Sequence, residues 1–267
     1  MNSKSASGRQ LQVERHMDIL NQLKQNSVVK VDDLSDRLRV SANTVRRDLA
    51  ALEQSGMLRR TQGGAVLQSG PGFLTPFQVR EKRYSEEKRA IARLAVGYIT
   101  PGESVILDAG TTMVELAREI AHLDECTVLT NSLEVGASLQ ETPQISVMMS
   151  GGTLLHSSRC LVGTVAESFF ASYNVSCVFL SVRGVSVEKG CTNLDMQETA
   201  VKERMVAAGK KVIVLADSSK IGNVALSAVC PIDMVHTVIT DWNADPAVCD
   251  ALRTAGVTVA VTPKPEG

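Results

Sequence analysis

Aromatic side chains are scarce, 3% of 267 residues with one Trp. That argues against a single-strand or RNA binder, which stacks bases on aromatic platforms. Paired cysteines are missing too. Six Cys stand at 126, 160, 177, 191, 230 and 249, with no Cys-x-x-Cys and no His at finger spacing. Cys177 sits in the apolar run from Ser176 to Leu180, so these residues read as small core side chains in a reducing cytoplasm. No Gly-x-Gly-x-x-Gly and no Gly-x4-Gly-Lys-Ser/Thr occurs, which excludes dinucleotide and P-loop sites. His16, His122, His156 and His236 show no metal-ligand spacing, so neither metal nor cofactor is expected. No apolar run approaches a membrane span, and the opening MNSKSASGRQ lacks a signal-peptide core. A soluble cytoplasmic protein with no membrane partner is expected.

What is present is unevenly distributed. Net charge is −1, yet residues up to Arg89 carry 16 Lys+Arg against 10 Asp+Glu, and the remainder 12 against 19. The length implies two domains, and the asymmetry fits a nucleic-acid-binding head on a separate body.

The head is expected over residues 1–68. Val13, Met17, Leu20 and Leu23 place a helix between Leu11 and Gln25, and Val31, Leu34 and Leu38 place a second over Val31–Leu38. After a break at Arg39-Val40, a third runs from an N-cap at Ser41 to a C′ glycine at Gly56, burying Val45, Leu49 and Leu52. Its first turns then offer Ala42, Asn43, Thr44, Arg46 and Arg47 outward. Such a helix suits the major groove, where Arg pairs with guanine and Asn with adenine. Next come two short strands about a Gln-Gly-Gly turn, with Arg59, Arg60 and Gln62 forming a wing for backbone or minor-groove contact. Residues 69–76, opening Ser69-Gly70-Pro71-Gly72, read as a linker.

These segments resemble the DeoR/GlpR family of bacterial sugar-metabolism regulators. The resemblance rests on Val31-Asp-Asp-Leu, Val40-Ser-Ala-Asn-Thr-Val-Arg-Arg-Asp-Leu49 and the Gly-Gly wing. It continues through Phe77–Lys88, Leu107-Asp-Ala-Gly-Thr-Thr112, Leu129-Thr-Asn131, Ser150-Gly-Gly152, Leu215-Ala-Asp-Ser-Ser-Lys220 and Thr240-Asp241. It implies a repressor whose C-terminal domain is ribose-5-phosphate-isomerase-like and is released from DNA by a phosphorylated sugar. Family members often carry Asp shortly before the Phe of the strand near 175–182; here Ser176 or Cys177 holds that place.

Residues 77–267 alternate strand-like runs (Ser104–Leu107, Thr127–Leu129, Ile145–Met149, Val175–Val182, Lys211–Leu215, Thr237–Ile239, Val257–Val261) with helical stretches (Thr112–Ile120, Leu133–Leu139, Gln197–Ala208, Pro246–Ala255). That order implies an α/β domain with a largely parallel sheet covered on both faces. Ligands in such sheets sit beyond the carboxyl ends of the strands. There the sequence places Asp108, Gly110, Thr111 and Thr112, then Asn131 and Ser132, Gly151 and Gly152, and Asp217 with Lys220. Backbone N–H groups, hydroxyls and a cation at strand ends suit a phosphate. Arg159 and Arg183 are further candidate phosphate clamps.

Two rival readings carry other expectations. A sugar-phosphate isomerase needs a carboxylate base, for which Asp195 and Glu198 are the candidates. A second domain that only oligomerises would make DNA affinity indifferent to sugar phosphates. The expected partners are double-stranded operator DNA, a phosphorylated sugar and further copies of the chain as dimer or tetramer. Phe77–Arg93, charged and rich in helix formers, is the expected coupler between linker and sensor.

Overall fold

A computed structural model describes residue 12 and residues 14–23, 28–54, 58–67 and 77–265. The expected C′ residue Gly56, the 69–76 linker and the Arg59 side chain lie outside what is described. The chain separates into two compact units, 1–76 and 77–267.

In the first unit, helix α1 covers residues 14–23. Strand β1 (Val28–Lys30), helix α2 (Val31–Leu38), helix α3 (Ala42–Gln54) and strands β2 (Leu58–Thr61) and β3 (Gly64–Leu67) follow. Ile19 and Leu23 of α1 pack with Val31, Leu34, Val45, Leu49, Leu52 and Leu58 into one core. The expected face of α1 is therefore corrected: Met17 is exposed, because the helix turns Ile19, two residues on, toward α3. Asp48 of α3, itself buried, ties down α1 by accepting from Arg15 Nε at 2.7 Å and Nη2 at 3.1 Å. The turn between α2 and α3 passes through Arg39 at φ 53°, a left-handed conformation that reverses the chain in few residues.

Strand β1 has no counterpart in the sequence reading. It pairs antiparallel with β3, which pairs with β2, giving a three-stranded wing sheet. At three residues it is too short to show alternation. Gly64 is required where β3 passes β1, since a Cβ there would stand 2.0 Å from the Val29 carbonyl oxygen.

The second unit opens with helices α4 (Phe77–Lys82) and α5 (Ser85–Val96). Then come β4 (Ser104–Leu107), α6 (Thr111–Ile120), β5 (Cys126–Thr130), α7 (Leu133–Ser138), β6 (Ile145–Met149), β7 (Thr153–Leu155), β8 (Cys160–Val162) and α8 (Thr164–Ala171). The chain continues through β9 (Val175–Ser181), β10 (Gly184–Ser186), β11 (Gly190–Asn193), α9 (Met196–Ala208), β12 (Gly209–Leu215), β13 (Ser227–Cys230), β14 (Thr237–Thr240), α10 (Pro246–Thr254) and β15 (Thr258–Val261). Seven strands form a parallel sheet in the order β15-β14-β12-β9-β4-β5-β6. Alternation sorts their side chains by face. Val105, Leu107, Phe179, Ile213 and Ile239 pack against α5 and α6, while Ile106, Leu129 and Val178 pack against α8 and α9.

Every strand expected of residues 77–267 is in this sheet. Helix α8, the β7–β8 hairpin and the antiparallel β10-β11-β13 sheet were not anticipated. They occupy connections whose short apolar runs carry no clear period.

The order reverses between β4 and β9: from β4 the chain winds outward to β5 and β6, from β9 the other way to β12, β14 and β15. Such a switch point opens a crevice at the carboxyl ends of the strands. Across it the chain is tightly drawn, because a Cβ on Gly110 would lie 2.6 Å from Ser181 Oγ and 3.0 Å from Ser181 Cβ. We expect Gly110→Ala to destabilise the second unit by about 1–3 kcal/mol through overpacking. Adding Ser181→Gly, which removes both clashing atoms, should recover most of that loss in urea denaturation. A G110A protein as stable as the parent would mean the loop is slack.

Candidate functional site

Two sets of residues carry functional chemistry, one in each unit. In the first, Ser41 Oγ accepts from Thr44 N at 3.2 Å and lies 2.9 Å from Thr44 Oγ1, so the cap forms where the sequence placed it. Val45, Leu49 and Leu52 are buried. Asn43, Arg46 and Arg47, three and four residues apart, are all exposed on one face, with Ala42 and Thr44 half-buried beside them. Arg46 and Arg47 have no ion-pair partner among the described residues. On the wing, the Arg60 amide donates to Glu53 Oε1 at 2.8 Å, which locks β2 to α3. Arg60 and Gln62 are exposed, Gln62 at the tip beside Gly63 at φ 94°.

In the second unit the carboxyl ends of adjacent strands bring Asp108 and Gly110 (β4), Ser181 (β9), Asp217 (β12) and Asp241 (β14) along one edge. Asp108 is buried and accepts from its neighbour Ala109 N at 2.7 Å and, across the crevice, from Ser181 N at 2.9 Å. Lys202 Nζ, buried on α9, donates to Asp108 Oδ2 and to the Ser181 carbonyl oxygen, the latter at 3.0 Å. Burial pushes the Asp108 carboxyl up, and Lys202 and the two amides pull against it. One turn earlier on α9, Glu198 accepts from Ser158 Oγ and from Asn193 Nδ2 at 3.1 Å. Burial acts to raise its carboxyl, but Lys202, Ser158, Asn193 and Arg183 outweigh that and hold it below the usual range.

On the β12 side, Asp217 accepts from Lys220 Nζ at 2.9 Å and from Ser219 Oγ. Burial is again overcome, chiefly by Lys220, and the carboxyl is held at about 2. Asp241 anchors the same turn by accepting from Ser218 N at 2.6 Å. Lys88 of α5 is buried and donates to the Arg80 and Arg83 carbonyl oxygens at the end of α4. Burial, followed by the nearby Lys220 charge, pushes its ammonium down to about 8. Arg80 is lowered to about 10, by burial and then by Arg183.

Thr111 and Thr112, both buried, begin α6 and so share the Asp108 corner. The other expected residues are engaged elsewhere. Asn131 Nδ2 donates to Leu161 O at 3.0 Å, leaving its buried Oδ1 without a partner. Ser132 Oγ caps α7 by accepting from Val135 N at 3.3 Å. Gly151 and Gly152 have φ of 67° and 116°, and a Cβ on Gly152 would meet the Val162 carbonyl at 2.6 Å, so their need for glycine is conformational. Arg159 pairs with Glu134 and lies 5.3 Å from the centre of the Phe77 ring. Ser176 and Cys177 lie at the start of β9, and Cys177 is in the core. The strand's polar contribution to the crevice comes instead from its other end, at Ser181.

Sequence reasoning missed Arg80, Lys88 and Lys202. The available signal was the Glu198/Lys202 pair at i, i+4, which reads as an exposed helical pair unless the helix is known to be covered.

Comparison with known proteins agrees along the whole chain. Residues 15–70 match the DeoR-like helix-turn-helix domain and residues 83–242 the DeoR C-terminal sensor domain. The HTH-type transcriptional repressor GlcR of Bacillus subtilis is 36% identical over 256 residues, 96% of this chain and 98% of that protein. The HTH-type transcriptional regulator GolR of Listeria innocua is 33% identical, spanning 93% and 98% respectively. Among solved structures, a ribose 5-phosphate isomerase of Methanocaldococcus jannaschii overlays 51% of the chain and 54% of its own at a TM-score of 0.38 and 16% identity, a likeness too slight to argue from. Among the described residues no helix is long and apolar enough to cross a membrane. With a capped helix presenting Asn43, Arg46 and Arg47, and both domain types matched in order, the chain belongs to the DeoR family of DNA-binding transcriptional regulators.

Proposed function

We propose that the protein represses a carbohydrate-catabolism operon and is released from its operator by a phosphorylated sugar bound at the β4/β9 crevice. The observation that carries this is the switch point itself. The start of α6 at Thr111, Lys202 and the Asp217–Lys220 pair lie along one edge of one sheet. The first amides of α6, at Thr111 and Thr112, have no acceptor within the helix itself, and a phosphate there gains from hydrogen bonds and from the helix dipole together. Two relatives, GlcR and the CsqR of Escherichia coli, bear the name repressor.

The α3 face carrying Asn43, Arg46 and Arg47 enters the major groove, with Ser41, Ala42 and Thr44 at its leading end and Arg59, Arg60 and Gln62 on the wing against the backbone. A homodimer or a pair of dimers reads half-sites about 10 bp apart. Effector binding is transmitted through Lys88, which holds the last carbonyls of α4, the helix that follows the linker. A coupling of about 1–3 kcal/mol between sugar and DNA would be ordinary for such a device.

An enzymatic reading has no free carboxylate to work with at this edge. Asp195 caps α9 by accepting from Gln197 N and Glu198 N, Asp108 and Asp217 are ion-paired with lysines, and Glu198 is enclosed by Ser158 and Asn193. We therefore read the protein as a non-enzyme.

Fluorescence anisotropy on the DNA upstream of the protein's own gene, with sugar phosphates and their unphosphorylated parents, tests the whole scheme. Release by a phosphorylated compound alone is expected, and binding indifferent to every sugar would sink the sensor. Arg47→Ala should weaken DNA binding, with a shallower salt dependence if it neutralises a phosphate or relaxed sequence preference if it reads a base. Unchanged affinity would refute the recognition-helix assignment. Thr111→Glu, which places fixed negative charge at the start of α6, should abolish the sugar response and spare DNA binding.

The pH dependence follows from Lys88. Its ammonium is charged below about 8 and neutral above, so the attraction it lends an anion fades as pH rises through 8. The ester's second proton leaves near pH 6. Sugar-phosphate affinity should therefore be highest between about 6 and 8 and fall on either side. Calorimetric titration across that range checks the shape, and affinity still rising beyond pH 9 would exclude Lys88.

A further inference from the structure

Arg183 stands two residues beyond β9, the strand that flanks β4 at the switch point. Its backbone amide is satisfied by the Thr192 carbonyl oxygen at 2.9 Å. Its guanidinium is not: Nη2 is cut off from solvent and has no hydrogen-bond partner among the described residues. An unmade hydrogen bond to a buried charged donor costs more than one to a neutral group. Burial lowers the Arg183 guanidinium, and burial followed by the Arg183 charge lowers that of Arg80. Glu198 and Asp217 attract Arg183 from a distance, but each is already held by other partners, Glu198 by Ser158 and Asn193 and Asp217 by Lys220.

A second idle donor is linked to it through Arg80, which feels the Arg183 charge. Ser157 Oγ is buried without a partner, and the Ser157 carbonyl oxygen accepts from Arg80 Nη2 at 3.4 Å. Ser157 and Arg183 therefore each keep an unused donor among the described residues, and a planar guanidinium fork matches a carboxylate or phosphate in two parallel hydrogen bonds.

We propose that Arg183, with Arg80 and Ser157, reads a second anionic group on the effector, at the end remote from the phosphate held by the start of α6. This rests on the phosphorylated-sugar reading and narrows it: the effector is a phosphorylated sugar acid or a bisphosphate. Arg183 thus sets specificity. Among the described residues its side chain makes no hydrogen bond or ion pair that a neutral side chain of similar length would lose.

The test uses the full chain and matched ligands of four, five and six carbons: an alditol monophosphate, the corresponding aldonate monophosphate and the alditol bisphosphate. Calorimetric titration should show, for at least one chain length, a doubly anionic ligand binding at least tenfold more tightly than its alditol monophosphate. Preference for aldonate over bisphosphate, or the reverse, identifies the group. Arg183→Met should abolish that preference while leaving alditol monophosphate affinity within about twofold, and Arg183→Lys should retain part of it. Without ligand, the melting temperature of Arg183→Met should equal or exceed that of the parent, because an unpaired buried charge has been removed. A lower one would mark Arg183 as structural and overturn the proposal. So would equal binding of neutral and acidic ligands at every length, or a preference that survives in Arg183→Met, and either result leaves the phosphate reading standing. If no compound binds at any length, both fall together.

Discussion

Lys202 reaches from α9 to the Asp108 carboxylate at the end of β4 and to the Ser181 carbonyl at the end of β9, with both charged groups buried. Desolvating two charges is expensive, and only good geometry with additional hydrogen bonds offsets it. Both conditions hold, since Asp108 also accepts two backbone amides. Breaking this pair would leave an uncompensated charge inside the domain and loosen the two strands that define the switch point. The α6 N-terminus and the close approach of Gly110 to Ser181 lie directly beside it.

The edge built on that ion pair is unusually rich in charge for a buried region. Its carboxylates are pulled in opposite directions: Asp217 and Glu198 are held low by their cations, whereas burial raises Asp108. Its cations are divided in the same way. Lys202 and Lys220 have carboxylate partners, Lys88 has backbone carbonyls, and Arg183 Nη2 has no hydrogen-bond partner among the described residues. A protein with only a structural use for this edge would gain stability from apolar replacements. Retaining so much positive charge at a crevice agrees with a site whose missing counter-charge arrives with a ligand.

Lys88 carries that charge to the start of the second unit. It belongs to α5 yet holds the final carbonyls of α4, so a change in the field around Asp217 and Lys220 bears directly on the first helix after the linker. In the head, by contrast, the apolar faces of α1, α2 and α3 close on one another and the Arg15–Asp48 pair locks α1 to α3. The reading face of α3 is thereby presented on a rigid frame.

The sequence by itself determined the elements and their order. Val45, Leu49 and Leu52 at helical spacing, the Ser41 cap and the strand runs from Ser104 to Val261 are local signals, each decided by residues a few positions apart. It also determined the exposed Asn43–Arg46–Arg47 face, because a helix with one apolar stripe must turn its remaining residues outward. The small polar residues at strand ends were legible as a group, yet their division was not: Ser132 caps a helix and Arg159 pairs with Glu134, while Thr111 and Asp217 line the edge. Only the tertiary structure decided that, and only it revealed β1, Lys88, Lys202 and the idle Nη2 of Arg183. Lys202 and β1 find their partners 21 to 94 residues away, Arg183 Nη2 finds none among the described residues, and Lys88 is set by burial, which depends on what covers a charge and which no local pattern of residues encodes.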